Sequence, residues 1–339
     1  MVLLLLLVMG FPLLAEEHVT ADADICSLTN YRIDVRPNSD GPPTEVTVGM
    51  RIMDITEIND VDQTISVDLA VKLAWTDPRL APFAGCRLES EDIWFPTLVL
   101  RNSGRLFQRW PDSVSVDEGG KAIIIQRISG TFASYVTLRE FPFDKQEIDL
   151  EFFALEWGLD KLTIKNDEVF SGGSSRMNIS DWAVTNVSAH ADEVQIHAMQ
   201  QMHAGLTVTI SAKRFLSYYV WKILFPIAMI VIMSWCVFWI EPSEFGTKVG
   251  LSATSVLTMI AFIFATTNLL PRLGYFTTLD RYIAGATFLV FLALLQSLST
   301  GFLVSKQRES TAATMDRFSR ILFPAVFAAF CVAILSHQL

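Results

Sequence analysis

The sequence predicts an all-β, immunoglobulin-like sandwich of about ten strands followed by a bundle of four membrane-spanning helices. Three observations carry that prediction. Short runs rich in Ile, Val, Phe and Thr, separated by Gly and Pro clusters, fill the first half of the chain. Four apolar segments of near-spanning length fill the second. Charge divides at the same place. From Glu16 to Lys213 there are 31 acidic and 17 basic residues, against 5 and 9 in the rest of the chain. An acidic first half argues against a nucleic-acid partner, which requires clustered Lys and Arg, and it concentrates cations nearby.

Each element follows in order. Residues 1–15 contain "VLLLLLVMGFPLLA", a secretory signal core too short to span a bilayer. Residues 16–214 form the β domain. "ISVDLAVKLAW" alternates for part of its length, and "AIIIQRI", "EIDLEFFAL" and "LTVTISA" are strand-like. "NSDGPP", "DEGG" and "SGGSS" break them. Residues 215–339 hold the spans, placed at 218–240, 247–270, 279–305 and 318–336. Tyr218, Tyr219 and Trp221 form an interfacial belt at the first. The last connection, "KQRESTAATMDRFSR", carries Lys306, Arg308, Arg317 and Arg320 and belongs in the cytoplasm. With four spans, the β domain and the C-terminus are then both outside. Cys26, Cys86, Cys236 and Cys331 show no metal-binding spacing. Cys26 and Cys86 can pair in an exported domain, but sequence leaves that open.

The second span is the most informative. Gly250, Thr254, Leu257, Ala261, Phe264 and Asn268 are spaced to share one helical stripe, polar or small at its cytoplasmic end, apolar in the middle and polar outside. Ser252, Ser255 and Thr258 add hydroxyls. Hydroxyls in a span either glue helices together or face water. One stripe encloses nothing, but several copies around an axis form a pore, with Leu257 as an apolar constriction and Thr254 and Gly250 below it as a hydrated filter.

Five stretches in order carry a family resemblance. They are "WTDPRL" (Trp75–Leu80), "WFPTLVLRN" (Trp94–Asn102), "FPFD" (Phe141–Asp144), "SYYVWKILFP" (Ser217–Pro226) and "TTNLLPRLGYFTT" (Thr266–Thr278). In register with a β-sandwich and four spans, they resemble the pentameric ligand-gated ion channels, the Cys-loop receptor family. The resemblance extends to the prokaryotic branch and an Erwinia member of it, and covers nearly the whole chain after Ala15. Thr97 stands where the family usually has Asp. The cysteines that name the family would fall at Ser134 and Ile148, so no disulfide closes this loop.

The resemblance implies a homopentamer in a membrane, lined by the second span and passing monovalent cations in answer to a small-molecule agonist or to protons. In the prokaryotic branch that membrane is the inner one, with the β domain and C-terminus periplasmic and lipid around the bundle. It places Phe141, Pro142, Phe143 and Asp144 at the base of the sandwich, against the span ends and the linker containing Pro271 and Arg272. Asp144, and Asp62 as a second candidate, would face Arg214. Glu241 and Glu244 would ring the cytoplasmic mouth and favour cations; Lys248 complicates that balance unless it points away from the lumen, as the family's cation channels with a basic residue at this step allow. The agonist would meet Arg101, Asn102, Phe153, Leu155, Trp157 and His203. Ala70 and a hairpin without aromatics other than His leave that box short of rings, so quaternary ammonium recognition is not supported. His190, His197 and His203 keep proton gating open.

No catalytic or cofactor-binding motif occurs in a suitable context, so an enzyme and a resident cofactor are not expected. The competing reading is a non-conducting, membrane-anchored periplasmic sensor. A transporter is weaker, because the spans show no internal repeat.

Overall fold

The computed structural model describes residues 26–336, except 29, 109–111, 175–176, 178, 197–199 and 268–272. The expected signal segment, 1–15, and the site candidates Asn268, Pro271, Arg272 and His197 lie outside the described residues. Among the described residues, strands occupy two sheets and helices the C-terminal third.

The larger sheet is built on a long hairpin. β1 (Thr44–Asn59) pairs antiparallel with β2 (Thr64–Thr76) from Val46↔Trp75 to Asn59↔Thr64. The short β3 (Arg87–Glu89), β4 (Leu98–Leu100), β5 (Ser103–Gln108) and β6 (Ser113–Val116) lead to β7 (Lys121–Ala133), which lies along β2. β8 (Lys145–Gly158), β9 (Leu162–Asn166), β10 (Gly172–Gly173), β11 (Trp182–Ile196) and β12 (Gln201–Arg214) complete the domain. The first sheet runs β10-β1-β2-β7-β6-β3, with β9 also on β1 and β5 on β7; the second runs β11-β12-β8-β4. Their facing side chains make one core, including Val48, Ile52, Leu69, Phe132, Leu150, Phe152, Leu206 and Val208. Alternation on β8 and β12 sends every second residue into it. The predicted sandwich is therefore present, with strands that bulge and switch partners.

Two of the quoted stretches prove to be framework. Trp75 meets Trp94 edge-on at 6.1 Å and Phe95 at 5.7 Å. Asp77 is fully buried. Its carboxylate accepts from the Tyr31 hydroxyl at 2.6 Å, from the Arg79 guanidinium at 2.7 Å and from the Arg79 backbone N–H at 3.0 Å, which caps the turn Pro78–Phe83. Burial and the Asp77 hydrogen bond push the Tyr31 hydroxyl above its usual range. Cys26 and Cys86 form a disulfide, which ties the first described residues to this turn.

The four helices long and apolar enough to cross a membrane are Ser217–Trp239, Phe245–Thr266, Thr278–Ser305 and Glu309–Ser336. They are called here the first to fourth helices. The fourth begins at Glu309 rather than at 318. Ala312, Asp316, Ser319 and Phe323 are buried at helical spacing, so Arg317, expected in a loop, lies on the exposed side of a packed helix, with Arg320 half-buried beside it. Only Lys306–Arg308 separate the third and fourth helices.

Gly120 has φ +73, and its carbonyl accepts from the Asp77 N–H at 2.9 Å. A Cβ there would overlap the Asp77 carbonyl oxygen and sit 3.2 Å from the Ala81 nitrogen. Gly120→Ala is expected to cost about 2 kcal/mol or more, from the left-handed backbone and the overlap together. Gly119→Ala, next to it, is expected to cost less. Thermal unfolding of the solubilised protein separates the two, and equal melting temperatures would contradict this account.

Candidate functional site

The junction of sandwich and helices is organised by one guanidinium. Arg214 is the last residue of β12, and its side chain is 1% exposed. Its Nε donates to Asp144 Oδ1 at 2.8 Å and its Nη2 to Asp144 Oδ2 at 3.1 Å. Its Nη1 and Nη2 donate to Asp60 at 2.6 and 2.9 Å. The group lies 4.0 Å from the Trp182 ring centroid, 4.7 Å from Phe141 and 5.7 Å from Tyr219. Burial pushes the Arg214 pKa down, but the hydrogen bonds and charges of Asp60 and Asp144 more than reverse this. Its pKa is held above the ordinary arginine value, so the charge is permanent.

Asp144 thus faces Arg214 as expected, but the second partner is Asp60 and not Asp62. The hairpin turn decides this. Asn59 Oδ1 accepts from the Asp62 N–H at 2.9 Å, and that geometry leaves the Asp62 side chain exposed while Asp60 turns under β12. "NDVD" offers two aspartates two positions apart, and sequence alone does not choose between them.

The phenylalanines also find their places. Phe141 is fully buried, with its ring edge-on to Tyr219 at 4.9 Å. Pro142 and Phe143 face an apolar cavity of about 260 Å³ shared with Leu224, Leu279, Tyr282 and Leu335. The loop is bonded to the start of the third helix. Thr278 N–H donates to Arg139 O at 3.0 Å and Leu279 N–H to Phe141 O at 3.1 Å. The Tyr275 hydroxyl accepts from the Leu138 N–H, and Arg139 stacks over the Tyr275 ring at 4.8 Å. Gln146 braces Asp144 from behind at 2.7 Å. Sequence reasoning singled out none of Asp60, Arg139, Gln146, Trp182 or Tyr275; Tyr219 it placed at the membrane interface only.

The second helix has two faces. Gly250, Thr254, Leu257, Ala261 and Phe264 are all exposed, Leu257 at 67% and Phe264 at 74%. Lys248, Ser252, Ser255 and Met259 are buried against the other helices. Thr254 and Thr258 donate to carbonyls one turn back, while Ser252 meets Ser297 of the third helix at 3.0 Å. The hydroxyls therefore split between an open face and helix-to-helix contact. Glu241 and Glu244 are exposed in the turn before this helix.

The candidate ligand residues do not form one cluster of free groups. Arg101 is paired with Glu151 at 2.8 Å. The Asn102 amide donates to Ala133 O and Asp149 O, bridging the two sheets. Phe153 and His203 are buried, with ring centroids 6.5 Å apart. His203 Nδ1 lies 2.8 Å from Ala154 O and 3.1 Å from Trp157 O. Leu155 and Trp157 are half-buried, and the Trp157 ring packs 6.3 Å from Trp94.

Residues 25–215 match the neurotransmitter-gated ion-channel ligand binding domain, and residues 223–309 match the transmembrane region of the same channels. A gamma-aminobutyric acid receptor subunit beta of Caenorhabditis elegans is 24% identical over 288 residues, 81% of this chain and 52% of that one. A gamma-aminobutyric acid receptor subunit beta of Lymnaea stagnalis is 24% identical over 301 residues, 81% of this chain and 59% of that one. The chain spans between half and two thirds of the length of these relatives.

The junction geometry makes a discriminating prediction. Arg214→Gln leaves two buried carboxylates without their cation and is expected to destabilise the protein by about 3–5 kcal/mol. Asp60→Asn is expected to lower the melting temperature clearly, whereas Asp62→Asn changes stability by no more than about 0.5 kcal/mol. Equal effects of the two aspartate substitutions would reject the assignment of Asp60.

Proposed function

This chain belongs to the neurotransmitter-gated ion-channel family, and from that premise we propose that five copies form a ligand-gated, cation-selective channel lined by the second helix. The observation that carries the reading is the exposed stripe Gly250, Thr254, Leu257, Ala261 and Phe264 on a membrane-length helix whose opposite face is packed. A large apolar side chain standing open between small and polar neighbours suits a constriction that blocks ions by dewetting. Leu257 is that gate. Asn268 continues the same spacing at the outer end.

Cation selectivity rests on the inner end. Glu241 and Glu244 are exposed there, whereas Lys248 is buried and paired with Asp316. Five copies then place ten exposed carboxylates just before the second helix, with Lys248 buried behind it, and acidic rings favour cations. The junction around Arg214 is the coupling element. It joins β12, the β1–β2 hairpin and the loop at Phe141–Asp144 to the helices, so motion of any one strains the charge network. The three-residue link Lys306–Arg308 supports the prokaryotic branch, and with it an inner membrane with the outer domain and C-terminus periplasmic.

The trigger acts on the outer domain. Both relatives are named for gamma-aminobutyric acid, which makes that amino acid the first ligand to apply. Steps of external pH follow, because His190 is exposed on β11. A non-conducting sensor has no use for an open, Leu-centred stripe on the second helix.

Voltage-clamp recording tests the whole reading. Gamma-aminobutyric acid, small amines, carboxylates and pH steps are applied to wild type and to Leu257→Ala. The expected result is a cation current, and in Leu257→Ala a current at lower stimulus or with none. Glu241→Gln with Glu244→Gln is expected to lower the cation preference. A folded pentamer that stays silent under every condition, Leu257→Ala included, would mean the non-conducting sensor instead.

A further inference from the structure

Lys248 is among the largest fully buried side chains of the protein. It lies in the first turn of the second helix. That is a poor place for a cation, because the N-terminal end of a helix carries positive partial charge. Its Nζ donates to Asp316 Oδ2 of the fourth helix at 2.6 Å and to Thr300 Oγ1 of the third at 3.4 Å. Gln296 Nε2 donates to the other carboxylate oxygen at 2.9 Å. Lys248 and Asp316 side chains are 1% and 2% exposed. No other acidic side chain bonds the ammonium among the described residues.

Lys248 and Gly250 are two positions apart, which puts them on nearly opposite sides of the helix. The Lys stem is long and flexible, and a charged head at a helix end moves to water when its buried partner is lost. Glu244 stands one turn before Lys248 and is exposed, which offers the ammonium a carboxylate on the water side.

We propose that Asp316 is a positioning residue for charge selectivity: it holds the Lys248 ammonium behind the second helix and so keeps a ring of five positive charges out of the inner mouth. The proposal rests on the cation-selective reading above, and the fourth helix, far from the stripe, becomes a determinant of which ions pass. Without Asp316 the ammonium swings toward Glu244, cancels an acidic ring and lets chloride compete.

Two readouts on the full-length protein test it. The first is labelling of Lys248 by a water-soluble, amine-reactive ester in lipid vesicles, read by peptide mass spectrometry. The second is the reversal potential under a sodium chloride gradient in a Leu257→Ala background, which is expected to conduct at lower stimulus or with none. Asp316→Asn is expected to raise Lys248 labelling and to lower the sodium-over-chloride permeability ratio several-fold. Asp316→Glu, which keeps the charge, is expected to restore both. A merely structural role would reduce the amount of current without moving its reversal potential. Unchanged labelling in Asp316→Asn, or raised labelling with an unchanged permeability ratio, overturns the proposal.

Lys248→Met with Asp316→Leu removes the pair together, a change that buried ion pairs tolerate far better than loss of one partner. It folds even if Asp316→Asn does not, and its permeability ratio is expected to match that of its parent. A changed ratio there means that Lys248 already faces the lumen, and the proposal falls. If the parent passes chloride or nothing, the cation-channel reading fails by itself, and the labelling comparison still decides whether Asp316 holds the lysine.

Discussion

The Arg214 guanidinium is the contact on which the join between the two halves depends. It ends the last strand and stands just before the first helix, so its position fixes where the sandwich stops and the bundle begins. A cation with 1% exposure is tolerated only when its charge and its donors are answered. Asp60 and Asp144 answer both, and they come from the β1–β2 hairpin and the Phe141–Asp144 loop. Those segments are far apart in sequence; the β2–β7 ladder and the Ser134 N–H to Gln63 O bond bring them close, and the guanidinium ties their aspartates together. Three aromatic faces close the remaining sides, which dries the site and strengthens the pairing. One cation against two carboxylates leaves the cluster short of positive charge, so no member can move without leaving another uncompensated.

The same logic recurs at the other end of the bundle. Lys248 and Asp316 form a second buried pair, and Gln296, Ser297, Thr300 and Ser252 surround it with hydrogen-bonding groups on the second and third helices. Lipid offers no such partners, so polar groups at this depth must meet one another. The fourth helix is thereby tied to the second by charge as well as packing. At the same inner end Arg320 donates to Phe238 O at 2.9 Å and lies over the Trp239 ring, closing the end of the first helix. Between the two charged ends the helices meet mostly through apolar side chains, with polar contacts such as the Tyr282 hydroxyl donating to Leu224 O.

What was legible in the sequence follows from what each signal encodes. Periodicity of two and runs of near-spanning length encode layers, so the sandwich and the four helices could be read directly. The 3.6 repeat encodes faces, and it separated the open stripe of the second helix from its packed side. The facing of Asp144 and Arg214 came from the family resemblance, which carries register between distant segments. Asp60 was missed because the turn beyond the last ladder pair, Asn59↔Thr64, and not the strand period, decides which aspartate turns inward. The start of the fourth helix was missed because its first turns are charged, and hydropathy stops where an amphipathic helix does not. For Lys248 the sequence left even the direction open. Its partner lies 68 positions away on another helix, beyond the reach of any local pattern.

The contrast between the two pairs bears on how the protein can move. Arg214 keeps its charge at every pH, so the junction with Asp60 and Asp144 cannot be released by losing a proton from arginine. An opening that keeps both carboxylates charged must be mechanical, with the β1–β2 turn or the Phe141 loop carried by its own strand. The outer domain provides for that. Both segments are the base ends of long strands whose other ends lie toward Trp157, Trp94 and the β11–β12 hairpin. Ladder hydrogen bonds brace these strands along most of their length, between the bulges, so a shift at one end would arrive at the other as a tilt. The Leu279 to Phe141 and Thr278 to Arg139 bonds then pass that tilt to the head of the third helix, which packs along the second. On the proposed channel reading, a stimulus at the far end of the sandwich would reach the second helix through these strands and the two backbone hydrogen bonds, past the arginine cluster.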